Sequence, residues 1–236
     1  MDDVWLDQQG SEIPGDTWRL LSSQLTDKRR QRMEEVAARR TEFVRLVVQD
    51  IHDPHNVAAC MRSAEAFGVL NLDVVTLYQK FKPSQACRGT AEWLKVNRWD
   101  TIPDCVKELR RSGYKIAAGY PDPEAMPLFE VPCHEPVAIL FGNEHRGIDP
   151  AWLDEVDYKF TIPVVGMVES LNISVAAALS MLEITRRSQQ AVGDDLYFLS
   201  PERQEALLGQ WLTRHVKSYK QQLIELRRRE KSSPME

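Results

Sequence analysis

The chain has 236 residues, 43% of them hydrophobic and 28% charged, with a formal net charge of −5. That length and balance fit one folded domain with small appendages, and the four cysteines (Cys60, Cys87, Cys105 and Cys133) are too few and too scattered for a disulfide scaffold. No apolar run reaches the roughly 18 residues of a membrane-spanning helix, and the acidic start MDDVWLDQQG lacks the basic-then-apolar pattern of a secretion signal, so a cytoplasmic location is expected.

In chain order, residues 1–20 are polar, with Trp5 and Trp18 as candidate anchors. Residues 21–43 contain no Pro or Gly and are rich in helix formers, so they read as one helix with a basic face. Leu46–Val48 reads as a short strand, 56–67 as a helix closed by Gly68, and 69–77 as a second strand. A short helix is expected near 84–92 and a small strand over 93–99. Residues 101–112 then form a helix with Pro103 in its first turn, followed by a strand over 114–118. A Pro-rich connection with a short strand or turn near Phe129 leads to Val137–Phe141, whose unbroken apolar run suits a sheet covered on both faces. A short helix over 150–156, a strand over 159–162 and a long helix over 171–190 complete an α/β alternation with a mostly parallel sheet and flanking helices. Residues 200–231 read as one or two further helices. The expected organisation is an N-terminal helical extension (1–43), a central domain (44–190) and a C-terminal helical extension (191–236).

Charge is unevenly spread. Basic clusters stand at Lys28-Arg29-Arg30 with Arg32, at Arg39-Arg40, Arg110-Arg111 and Arg186-Arg187, and at Arg227-Arg228-Arg229 with Lys231. They are either solvated helix faces or local patches for nucleic acid on a protein that is acidic overall.

Open α/β sheets bind ligands beyond the carboxyl ends of their strands. Three loops follow strands here: His52–Val69, Phe141–Gly147 and Ile162–Leu179. No GxGxxG follows a strand and no GxxxxGK[ST] occurs, which disfavours a dinucleotide enzyme and a P-loop ATPase. Asn56 and Arg62 lie nearly two helical turns apart, roughly 9 Å of rise and not on one face. Glu144 is the carboxylate of a Gly-flanked loop. Ser170 reads either as a site group or as a helix cap. His52, His55 and His145 lack the defined ligand set a metal requires, so no metal is expected.

Jointly the three loops resemble the motifs of the SpoU/TrmH RNA 2′-O-methyltransferases. The first carries Asn56, Arg62 and Gly68, the second reads Gly142-Asn143-Glu144-His145-Arg146-Gly147, and the third has Pro163 followed by Ser170-Leu171-Asn172-Ile173-Ser174. The resemblance spans about 44 to 190. It implies a C-terminal part threaded into a deep trefoil knot (the SPOUT methyltransferase fold), against the general rule that chains avoid knots. It also implies S-adenosylmethionine as cofactor, an RNA substrate and a homodimer. It assigns catalytic roles to Arg62, Asn56, Glu144, Ser170 and Asn172, and cofactor contacts to Gly119, Gly142, Ile162 and Leu171. The latter four read otherwise as turn glycines and core residues. By the same resemblance Arg62 activates the ribose 2′-hydroxyl. An arginine stays protonated to about pH 12 and is a poor base, so stabilising the alkoxide and gripping the neighbouring phosphate are the physically sound forms of that role.

The segment GMVESLNISVAAAL and the Ala38-Arg39-Arg40 stretch resemble the family's tRNA branch, which modifies guanosine 18 of the D-loop. Ribosomal RNA or another tRNA nucleotide would leave the motifs intact. A non-catalytic RNA-binding protein of the same fold would be expected to lose Arg62 or the cofactor loop, and an unrelated α/β enzyme would not act on RNA.

Overall fold

The computed structural model describes residues 5–7, 9–78 and 89–232. The chain divides at Arg40/Thr41 and at Phe198/Leu199 into a central unit and a unit built from both termini. The two extensions read from the sequence are thus parts of one unit.

In the terminal unit, helices α1 (Thr17–Leu21) and α2 (Asp27–Ala37) are separated by a 3-10 turn over Ser22–Gln24. The single helix expected over 21–43 is therefore broken. Leu25 is extended, and the Thr26 side chain accepts the Arg29 N–H and starts a new helix. Residues 41–43 belong instead to a strand, because Thr41 N–H bonds to the Gly68 carbonyl; sheet pairing overrides helix propensity there.

The central unit opens with β1 (Thr41–Gln49), longer than the expected Leu46–Val48, then α3 (Pro54–Ala66) and β2 (Val69–Val75). After β3 (Lys95–Trp99) come α4 (Ile102–Arg111), β4 (Lys115–Gly119), the two-residue β5 (Met126–Pro127) and β6 (Val137–Phe141). The short α5 (Pro150–Leu153), β7 (Tyr158–Thr161), α6 (Ile173–Val192) and α7 (Asp194–Tyr197) complete it. Helices α8 (Pro201–His215) and α9 (Tyr219–Ser232) return to the terminal unit. The helix expected near 84–92, and Cys87, fall largely or wholly outside the described residues.

The seven strands run in the order β3-β2-β1-β6-β4-β7-β5, and every described pair is parallel. Alternation along the strands feeds two cores. On one face Val44, Leu46, Val48, Ile139 and Phe141 pack with Met61 and Ala64 of α3 and Ala177, Met181 and Ile184 of α6. On the other, Val47, Ala138 and Leu140 pack with Leu109 of α4 and Trp152 of α5. Helices on both faces explain why β1, β2 and β6 read as nearly continuous apolar runs.

A parallel sheet puts all its carboxyl ends at one edge. Val48 of β1 pairs with Phe141 of β6, Ala118 of β4 with Leu140 of β6, and Gly119 of β4 with Phe160 of β7. The loops after β1, β6, β4 and β7 therefore emerge side by side.

The terminal unit is held by apolar burial of Trp18, Leu21, Leu207, Trp211 and Leu212. Ion pairs reinforce it: Arg227 grips Asp16 with two donors, Lys220 lies 3.0 Å from Asp7, and Arg19 lies 2.5 Å from Glu230.

Candidate active site

At the shared carboxyl edge lies a cleft of about 570 Å³, lined by the loops after β4, β6 and β7 and by the start of α6. Gly119, Gly142, Ile162 and Leu171 all line it, as do Glu144, Ser170 and Asn172. Asn56 and Arg62 do not line it.

Gly142 is sterically required, and Gly119 could carry a side chain only if a neighbouring ring moved. A Cβ on Gly142 would stand 2.3 Å from the Gly147 carbonyl oxygen, and a Cβ on Gly119 would stand 2.5 Å from the Phe141 ring. Asn143 and Gly147 exchange backbone hydrogen bonds of 2.8 and 2.9 Å, which closes the loop into a tight turn, and Gly147 has φ +70°. The Asn143 side chain completes the turn. It accepts the His145 and Arg146 N–H groups and donates to the Asp50 carbonyl. Sequence reasoning missed this anchor. An Asn following Gly in a loop is a turn signal, but its bond to Asp50 joins residues far apart in the chain.

The turn aims Glu144 at the first motif. The Asn56 Nδ2 donates to its Oε1 at 2.9 Å, and the His52 backbone N–H donates to its Oε2 at 3.0 Å. The Asn172 Nδ2 donates in turn to the Asn56 Oδ1 at 3.1 Å. The chain Asn172→Asn56→Glu144 ends on a carboxylate and ties the three motif segments together. Partial burial pushes the Glu144 carboxyl up, but the donors from His52 and Asn56 outweigh it and hold it below the usual glutamate value.

Local sequence sets these positions. Asp53 accepts the His55 N–H and Pro54 takes the first helical position, so α3 begins two residues earlier than expected and places Asn56 in its first turn. Asn172 is the N-cap of α6, accepting the Ser174 N–H at 2.9 Å. The capping considered for Ser170 falls to Asn172, which caps with its oxygen and bridges with its amide; Ser170 is an exposed residue of the cleft wall.

Arg62 is exposed on α3 and, among the described residues, makes no hydrogen bond, ion pair or ring contact. The structure does not bring it into the cleft. His52 and His145 meet edge-on with ring centroids 5.9 Å apart, and no group of three potential metal ligands occurs among the described residues. Cys60, Cys105 and Cys133 are buried, and burial pushes the Cys60 thiol up to about 12.

The cleft lining has its own chemical character. Among the described residues it carries two carboxylates, Glu144 and Glu169, and no Lys, Arg or His, between apolar surfaces from Phe160, Ile162, Leu171 and Ala176. That combination suits a cationic ligand with a flat apolar part and repels a free polyphosphate.

The model of the SpoU rRNA Methylase family matches residues 43–182. The tRNA (guanosine(18)-2′-O)-methyltransferase of Thermus thermophilus is 32% identical over 188 residues, covering 79% of this chain and 97% of that protein. Its counterpart from Escherichia coli K12 is 35% identical over 161 residues, covering 68% and 70%. The crystal structure of the Aquifex aeolicus TrmH/SpoU tRNA modifying enzyme superposes with a TM-score of 0.72 at 28% identity, covering 80% of this chain and 98% of that one.

Proposed function

This chain belongs to the SpoU rRNA Methylase family, and from that membership we propose that it methylates the ribose 2′-hydroxyl of guanosine 18 in tRNA, with S-adenosylmethionine as methyl donor. The fold is the SPOUT methyltransferase fold, with flanking helices on a parallel sheet and a knotted C-terminal part. The observation that carries the reading is the hydrogen-bonded chain from Asn172 through Asn56 to Glu144, which joins the three motifs beside a glycine-walled cleft.

The cleft fits the cofactor by its chemistry. Glu144 and Glu169 complement a sulfonium or ammonium charge, and Ile162 and Leu171 offer apolar surface for the adenosine. Gly119 and Gly142 keep the wall free of side chains. When bound, S-adenosylmethionine supplies a methyl group on a cationic sulfur; transfer to the ribose oxygen leaves the neutral thioether and one proton.

The remaining work falls to the protein. Asn56 holds Glu144 and Asn172 holds Asn56, which fixes the mouth of the cleft, and Ser170 offers its hydroxyl from the cleft wall. Arg62, with no internal partner among the described residues, is available to an RNA phosphate and to the developing alkoxide. The proton released from the 2′-hydroxyl as the methyl group is transferred ends on water.

The protein acts as a homodimer. Val175, Leu179 and Leu182 form an exposed apolar stripe on α6, and Val165 and Met167 stand fully exposed in the loop before it; a second copy would cover such a surface. No described helix is long and apolar enough to cross a membrane.

The test is incubation with labelled cofactor and total tRNA and rRNA, followed by mapping of the methylated nucleotide. Label at tRNA position 18 is expected. Label in rRNA alone rejects the tRNA substrate, and no label in any RNA rejects the function.

A further inference from the structure

The turn that aims Glu144 inward directs its next two side chains elsewhere. The Arg146 guanidinium lies over the Tyr78 ring, 5.2 Å from its centroid, and His145 packs edge-on against His52. Tyr78 lies just beyond β2, at the same carboxyl edge of the sheet as the cleft, and is 66% exposed. Its backbone is nevertheless anchored. The Asp50 side chain accepts the backbone N–H groups of Leu77 and Tyr78, at 2.8 and 3.2 Å, and the phenol donates to the Asp149 Oδ2 at 3.3 Å. Asp50 itself has φ +47°, an uncommon conformation for a residue that is not glycine.

A large aromatic side chain on an anchored backbone, yet left open to solvent, needs a reason, since burial does not supply one. Arg146 forms no ion pair among the described residues, so its planar cation is committed only to the ring. An exposed ring paired with a guanidinium is the surface on which unpaired nucleobases stack, because every base has a π-face and arginine adds a cation–π contribution.

We propose that Tyr78 and Arg146, flanked by His52 and His145, form a platform that stacks an unpaired base of the RNA next to the methylated ribose. The inference rests on the RNA-methylating function proposed above. Tyr78 and Arg146 are positioning residues: they hold substrate, whereas the Glu144 side of the same turn shapes the cleft. Stacking tolerates any base, so the platform selects for an unstacked, accessible nucleotide rather than for a sequence.

The test uses the full-length chain and a tRNA transcript carrying guanosine 18, and measures kcat and KM for RNA together with equilibrium binding of S-adenosylmethionine. Tyr78→Ala is expected to raise the RNA KM about tenfold, with kcat changed no more than about twofold and cofactor affinity retained. Tyr78→Phe keeps the ring and should restore the parent KM. Arg146→Gln should raise KM about threefold, and it serves as the independent variant if Tyr78→Ala does not fold. An unchanged KM in both Tyr78→Ala and Arg146→Gln overturns the platform. So does a Phe variant as impaired as the Ala variant, or a loss of cofactor affinity in step with KM, which would make Tyr78 a mere support of the turn. If the parent protein itself transfers no methyl group to RNA, the underlying function fails rather than the platform alone.

Discussion

Arg45 and Arg62 stand on consecutive elements, β1 and α3, and their surroundings differ in every respect. Arg45 is nearly buried, with its guanidinium 3.7 Å from the Asp73 carboxylate and 4.8 Å from the centre of the Tyr114 ring. Arg62 is exposed and has no such partner among the described residues. The two acidic groups differ in the same way. Burial pushes the Asp73 carboxyl up despite Arg45, Trp99 and Asn97, whereas the donors on the half-open Glu144 bring its carboxyl down. The pair inside the sheet has spent its charge on the fold. The groups at the carboxyl edge keep theirs for something the fold does not contain.

The largest effect should come from breaking the internal pair. Arg45→Ala leaves Asp73 buried without its cation and should cost roughly 3–5 kcal/mol of stability, read by chemical denaturation. A loss below about 1 kcal/mol would mean that Asp73 is already neutral in the folded protein. Arg62→Ala should do the reverse. Its melting temperature should match the parent, while methyl transfer falls on the order of 10²–10³-fold, as for loss of a donor to a developing oxyanion. Retained activity would remove Arg62 from the mechanism. A large drop in melting temperature would show that it, too, serves the fold.

Asn56→Ala removes the middle of the hydrogen-bonded chain and should lower activity by about tenfold, the scale of a hydrogen bond to a charged group. The smallest effect concerns pH. The Glu144 carboxyl is held below the ordinary value of 4.5, so the stability its ionised form supplies is complete above that value and is lost as the pH falls through the lower, folded-state value. Thermal melts of parent and Glu144→Gln should therefore differ near neutrality and converge in acid. A gap that widens as the pH falls contradicts the direction of the shift.

The α/β alternation was legible because its signals are local: apolar runs such as Val137–Phe141, a helix start at Pro103 and a helix stop at Gly68. Gly142, Glu144 and Asn172 were legible as sites only through their joint resemblance to known motifs. Their convergence was not, since the bonds from Asn56 to Glu144 and from Asn172 to Asn56 join segments separated by whole strand–helix units. The N-terminal helix misled because nothing in 21–43 breaks a helix by composition. Its interruption depends on the Thr26 cap and on the pairing of Thr41 with Gly68. The union of the termini depends on contacts such as Asp16 with Arg227, which no local pattern announces. The Tyr78–Arg146 pair is of the same kind, with both residues ordinary until the turn at Asn143 brings them together.

The most direct test of the account compares two tRNA transcripts identical except that one carries 2′-deoxyguanosine at position 18. With labelled cofactor, the ribose transcript should take up one methyl group at that nucleotide and the deoxy transcript none. Equal labelling of both would contradict transfer to the 2′-hydroxyl of guanosine 18.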